Sequence, residues 1–188
     1  FDRSAPLPTG GTLEQADGTA WMAFYCQCMV EIALVLADED PRYEEEAFKF
    51  LQHFMWIAYA MDRIGDHHDE MWDEKDGFFY DVLRLPDGSA VRLKVRSMVG
   101  LLPLCASTNF EPDAVAAHPR LLELIRLFRE RHPEVVAHVA PTDEGYVGHG
   151  GRRLLSPLSR EKLERVLRYL VDEGEFLGPF GIRSLSRH

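Results

Sequence analysis

With 188 residues, 46% of them hydrophobic, the chain can bury one substantial core, which argues against disorder and for a single domain or one large piece of a domain. Its 21 basic and 31 acidic side chains give a net charge of −10, which opposes the phosphate neutralisation that nucleic-acid affinity rests on. DNA and RNA are therefore not expected partners, and three cysteines, Cys26, Cys28 and Cys105, are too few for a disulfide framework and point to a reducing, cytoplasmic setting.

The first patterned stretch is GGTLEQADGTAW, residues 10–21, which reads as a glycine-bounded loop carrying Glu14 and Asp17 in front of a helix. Residues 18–37, GTAWMAFYCQCMVEIALVLA, are apolar around almost the whole helical circumference, so a helix covered on most sides is expected. Gln27 and Glu31 interrupt that run and no basic segment precedes it, so a membrane span is disfavoured. Residues 41–63 place Tyr43, Ala47, Phe50, Phe54, Ile57 and Met61 on one face of a second helix, with Asp40 as its cap and Pro41 at its first position.

The period then changes. Residues 78–95, FFYDVLRLPDGSAVRLKV, flank Pro86-Asp87-Gly88 with β-type runs and read as a hairpin. A short helix over 96–106 is limited by Gly100 and Pro103. Helical spacing returns at Leu121, Leu124, Ile125 and Phe128, and again at Leu163, Val166, Leu167, Leu170 and Val171 after the candidate cap Ser159. The glycine-rich segment 133–157 between them reads as loop with a little strand. Because the chain opens on Phe1 and closes on the patterned FLGPFGIRSLSRH, both ends read as cut.

Several clusters carry chemistry. Either Asp17 or Thr19 caps the first helix, or Asp17, set beside Trp21 and partly out of water, acts as a general acid. The run MWDEKDGFFYDVLRLPDG brings Trp72, Asp73, Glu74, Asp76, Phe78, Phe79, Tyr80 and Asp81 into ten positions. Such a set suits either the C–H faces and hydroxyls of a pyranose or a charged loop whose aromatics enter the core. DHHDE, residues 66–70, offers metal-ligand chemistry, but adjacent histidines rarely converge on one ion and no further ligand motif follows, so neither a metal nor a cofactor is expected. GHGGRR, residues 148–153, lacks the strand-turn-helix context of a phosphate loop.

The segments GGTLEQADGTAWMAFYCQCM, WDEKDGFFYDVLRLPDG, LKVRSMVGLLPL, GHGGRRLLS and FLGPFGIRSLSR, in that order, resemble the bacterial branch of glycoside hydrolase family 63. That family also holds the processing α-glucosidase I of eukaryotes and the mannosylglycerate hydrolases. The resemblance implies a mainly α fold, part of an (α/α)6 barrel with the hairpin as an insertion, and inverting hydrolysis of an α-linked glucoside. It implies Asp17 as the general acid, with Glu14, Gln15, Trp21, Trp72 and Tyr80 as candidates for contact with a carbohydrate substrate. Gln15-Ala16 stands where the family carries Gly-Leu or Gly-Met. An inverting enzyme also needs a base, its carboxyl roughly 6.5–9.5 Å from that of the acid. Nothing in the chain resembles the family's base segment; Glu144 and Glu175 are the carboxylates that would have to substitute. The expectation is thus an incomplete catalytic domain, inactive alone, whose truncated barrel faces favour self-association; the alternative is a non-catalytic carbohydrate-binding or scaffold module.

Overall fold

The computed structural model describes residues 5, 7, 8, 10–62, 70–136 and 148–188. It is mainly α-helical, built on two long helices, α1 (Ala16–Ala37) and α2 (Tyr43–Asp62), joined by a short turn. The Asp40 carboxylate accepts the Arg42 N–H at 3.1 Å, and its carbonyl accepts that of Tyr43. The helix starts at Tyr43, two residues later than expected, so Pro41 lies in the turn before it rather than at its first position, and Asp40 braces that turn instead of capping the helix.

Helix α1 is apolar on both halves, and only one half is covered. Ala16, Ala20, Ala23, Cys26, Val30, Ala33, Leu34 and Ala37 are buried, whereas Trp21, Met22, Tyr25, Ile32, Val35 and Leu36 are exposed. The small side chains on the covered half let α2 and a 3-10 helix over Met98–Ala106 approach closely. The expectation of a helix covered on most sides is corrected accordingly.

Helix α2 faces the core through Ala47, Phe54, Met55, Ala58 and Met61. Tyr43, expected on that face, is exposed, and Glu44 is buried instead. Its Oε2 accepts the Leu121 N–H at 2.8 Å, satisfying an N–H in the first turn of a helix whose own cap residue, His118, supplies no side-chain acceptor. A carboxylate on one helix therefore anchors the start of another.

The strands are short. The run before α1, expected to be loop, pairs as β1 (Thr12–Glu14). β2 (Trp72–Asp73) and β3 (Phe78–Phe79) form a small hairpin, and β4 (Asp81–Arg84) and β5 (Ala90–Leu93) form the expected one around Pro86-Asp87-Gly88. β1 joins β4 on the side opposite β5, giving an antiparallel order β1-β4-β5. β6 (Thr108–Phe110) precedes α3 (Pro112–Ala116), α4 (Pro119–Arg131) and α5 (Pro133–Val136). β7 (Arg153–Leu155) returns to pair with β6, and α6 (Arg160–Val171) leads into the hairpin of β8 (Leu177–Gly178) and β9 (Gly181–Ile182). Ser159 caps α6 as expected, accepting the Lys162 N–H.

One core cluster joins Ala16 and Met61 to Trp72, Phe78, Phe79, Tyr80, Val82, Leu158, Val166 and Phe176. Each large apolar side chain sealed there contributes roughly 1.5–3 kcal/mol. The 3-10 helix reaches this cluster only because residue 100 is glycine: a Cβ there would stand 2.2 Å from the Phe78 ring and 2.3 Å from the Phe79 carbonyl oxygen. Gly100→Ala should therefore lower the unfolding free energy by about 1–3 kcal/mol, measured by urea denaturation, with the helical circular dichroism retained.

Candidate functional site

The start of α1 has no local cap. Gln15 occupies the capping position without a side-chain bond, and the Asp81 carboxylate, from the beginning of β4, instead accepts the Ala16 N–H at 2.9 Å. A carboxylate suits this end, where unpaired N–H groups and the helix dipole both favour negative charge. Asp17 lies in the first turn of the helix rather than in the loop before it, half-buried, with its Oδ1 accepting the Gly18 N–H at 2.8 Å. Thr19 donates back to the Gln15 carbonyl, so neither Asp17 nor Thr19 serves as the cap. Glu14 holds Arg84 across the β1–β4 pair through two contacts, 2.7 and 3.3 Å.

The sugar-contact candidates separate. Trp21 is 53% exposed on the uncovered half of α1, its ring edge-on to Phe24. Trp72 is 2% exposed, with its indole N–H donating to Glu74 Oε2 at 2.6 Å and the Lys162 and Arg165 cations over its ring. Tyr80, also 2% exposed, packs against Phe78 and donates its hydroxyl to Asp76 Oδ2 at 3.1 Å. Neither of these two rings offers an open face on which a pyranose could stack.

Tyr80 does line a concavity of about 450 Å³, together with Asp76, Lys94, Val95, Arg96, Leu185, Ser186 and His188. Two sets of ion pairs border it. Lys94 Nζ lies 2.7 Å from Asp73 Oδ2 and 3.0 Å from Asp76 Oδ2, and Arg92 reaches Asp73 at 3.3 Å and Glu70 at 3.1 Å. Arg96 binds Glu175 at 2.6 Å and rests over the Tyr169 ring; Ser186 donates to the other Glu175 oxygen. The last turn of chain is tied to the same wall, its Ser186 N–H donating to the Arg96 carbonyl at 2.9 Å.

The electrostatics follow from these contacts. Burial alone would push Asp73 and Asp76 up, but hydrogen bonds from Lys94, joined by the Asp76 N–H at Asp73 and the Tyr80 hydroxyl at Asp76, hold both below the usual carboxylate range. The same pairs raise Lys94 above an ordinary lysine, and burial raises the Tyr80 phenol. At neutral pH these carboxylates are ionised acceptors with no proton to donate, so the concavity is suited to binding rather than to acid catalysis.

The remaining sequence candidates lie elsewhere. Residues 66–69 of DHHDE and Glu144 fall outside the described residues, while Glu70 is engaged by Arg92. In GHGGRR, Arg152 pairs with Glu111 at 2.8 Å and Arg153 belongs to β7. Glu175 already holds Arg96 and Ser186, which leaves it poorly disposed to activate water. Sequence reasoning missed Arg92, Lys94 and Arg96, although RLKVR spaces its cations two apart, as one side of a strand requires. It also missed Asp81 as a cap, for which no local pattern exists.

No family model matches the chain. It is 44% identical over 200 residues to the uncharacterized protein YMR196W of Saccharomyces cerevisiae (strain ATCC 204508 / S288c), a match that covers 100% of this chain and 18% of that protein. The chain thus spans less than a fifth of the length of this relative.

Two measurements check the site's construction. Asp81→Ala should cost about 1 kcal/mol, the usual worth of a lost cap, and speed amide exchange at Ala16. Because Asp73 and Asp76 titrate lower in the folded chain than in the unfolded one, their contribution is complete above the unfolded carboxylate value of about 3.9 and drains away as pH falls through the folded values. The melting temperature should therefore drop on acidification through that window, and drop less in Asp73→Asn.

Proposed function

We propose that this chain is a segment of the catalytic domain of an inverting α-glycosidase, in which Asp17 protonates the departing glycosidic oxygen. The observation that carries the reading is the placement of Asp17 at the head of the uncovered half of α1. Asp17, Trp21, Tyr25 and Ile32 recur at helical spacing along that side, with Trp21, Tyr25 and Ile32 exposed. A half-buried carboxylate beside an accessible indole suits a site that protonates an oxygen and packs a sugar face. The ordered run of family-like segments supports the same reading, and the uncovered apolar half is what an inner helix of an (α/α)6 barrel would turn towards its neighbouring helices. Glu14, fixed by Arg84, and Gln15 lie three and two residues ahead of Asp17. The general base belongs to the remainder of the catalytic domain, with glucose as the favoured sugar and a cytoplasmic setting.

A second reading is favoured by the same uncovered stripe: a non-catalytic scaffold module that associates with itself through α1. Light scattering separates this from a chain that stays monomeric at high concentration, which would remove self-association from consideration.

In a longer polypeptide that carries this chain together with the rest of such a catalytic domain, Asp17→Asn should lower kcat for α-glucoside hydrolysis by about 10²–10⁴-fold with KM little changed, since only a transition-state proton transfer is lost. Near-normal turnover in that variant would remove Asp17 from the role. The 188 residues alone should give a strongly helical spectrum and no Asp17-dependent release of glucose.

A further inference from the structure

The concavity beside Lys94 has no part in the acid step proposed for Asp17, which is not among its lining residues. Its volume of about 450 Å³ falls within the usual range of small-molecule sites. What it would take is decided by its charges. Lys94 is matched by Asp73 and Asp76, and Arg96 by Glu175, so each cation on the wall already faces a carboxylate. An incoming anion would have to displace one of those carboxylates, within a chain of net charge −10. An incoming cation would compete with Lys94 for the oxygens it already bridges.

A neutral molecule rich in hydroxyls meets neither obstacle. An ammonium has three N–H donors and a guanidinium five, more than these carboxylate partners take up, and each carboxylate oxygen accepts more than one bond. Hydroxyls can therefore slot between paired charges, donating to one member and accepting from the other. Exposed Val95 and Leu185 at the rim supply apolar contact for C–H surface.

We propose that this concavity is a binding site for a neutral polyhydroxylated ring of pyranose size, held by Asp76, Lys94, Arg96 and Ser186 and separate from Asp17. The displaced titration of Asp76, Tyr80, Lys94 and Arg96 fits this assignment, since such perturbations gather where a protein holds charge ready for a ligand. The proposal goes beyond the glycosidase reading and does not depend on it.

The test is a nuclear magnetic resonance titration of the 188-residue chain with methyl α-glucopyranoside, myo-inositol, glucose 6-phosphate and inorganic phosphate. Saturable shifts of the Lys94, Val95, Arg96 and Ser186 amides are expected with the two neutral probes, and binding about tenfold or more weaker with the two anions. Asp76→Asn should weaken the neutral probes about tenfold, the loss of one hydrogen bond to a charged acceptor. Val95→Glu, at an exposed rim position, should abolish the shifts while leaving the melting temperature unchanged. Failure of both neutral probes to saturate, phosphate binding tighter than the glucoside, or neutral-probe shifts that survive Val95→Glu would each overturn the proposal. Asp17→Asn should leave this titration intact, so failure of the acid assignment and failure of the binding site register in different experiments.

Discussion

A helix that begins without a local cap must find acceptors for its first N–H groups elsewhere, and in this molecule that need ties distant parts of the chain together. The Asp81 carboxylate, 65 residues along from Ala16, fills the gap at α1. β4 can deliver Asp81 there because β1, immediately ahead of α1, is its pairing partner, with Glu14 and Arg84 pinned across the same two strands. Strand pairing thus fixes where the helix starts, and with it the position of Asp17. Glu44 repeats the device at α4.

Carboxylates do two distinct jobs in this fold. At the helix starts they accept backbone N–H groups; around Lys94 they balance side-chain cations. In both settings a buried or half-buried charge is retained only where partners replace the water it has lost. Asp73, among the more deeply buried carboxylates, is held by Lys94, Arg92 and the Asp76 N–H together. Removal of a single partner from such a network leaves the others uncompensated, so its members are coupled rather than additive.

The parts of this architecture that are legible in the sequence are those with a local cause. Ser159 caps α6 because its hydroxyl lies three residues from the N–H it accepts, and the β4–β5 hairpin follows from Pro86-Asp87-Gly88. Leu121 and Phe128 are buried on α4 as their spacing requires. The misreadings concern groups whose partners are remote. Glu44 has the composition of a solvent-facing residue until Leu121 is brought to it, and the GGTLEQ run has no strand pattern of its own until β4 lies alongside. Trp72 and Tyr80 belong to a motif equally suited to a sugar platform or a core, and burial, which decides between the two, is a property of the whole fold. The cations of RLKVR are spaced legibly, but their carboxylate partners lie on other segments.

The uncovered half of α1 has a consequence for how copies of this chain behave towards one another in solution. Two opposed forces act between them: long-range repulsion from a net charge of −10, and short-range attraction between the stripes of Trp21, Met22, Tyr25, Ile32, Val35 and Leu36. Added salt weakens only the first, because the screening length shrinks from about 10 Å at 0.1 M to about 3 Å at 1 M while apolar attraction persists. Crowding by electrolyte should therefore draw the copies together. An assembly held by ion pairs would respond in the opposite sense, so ionic strength alone reports which kind of surface dominates.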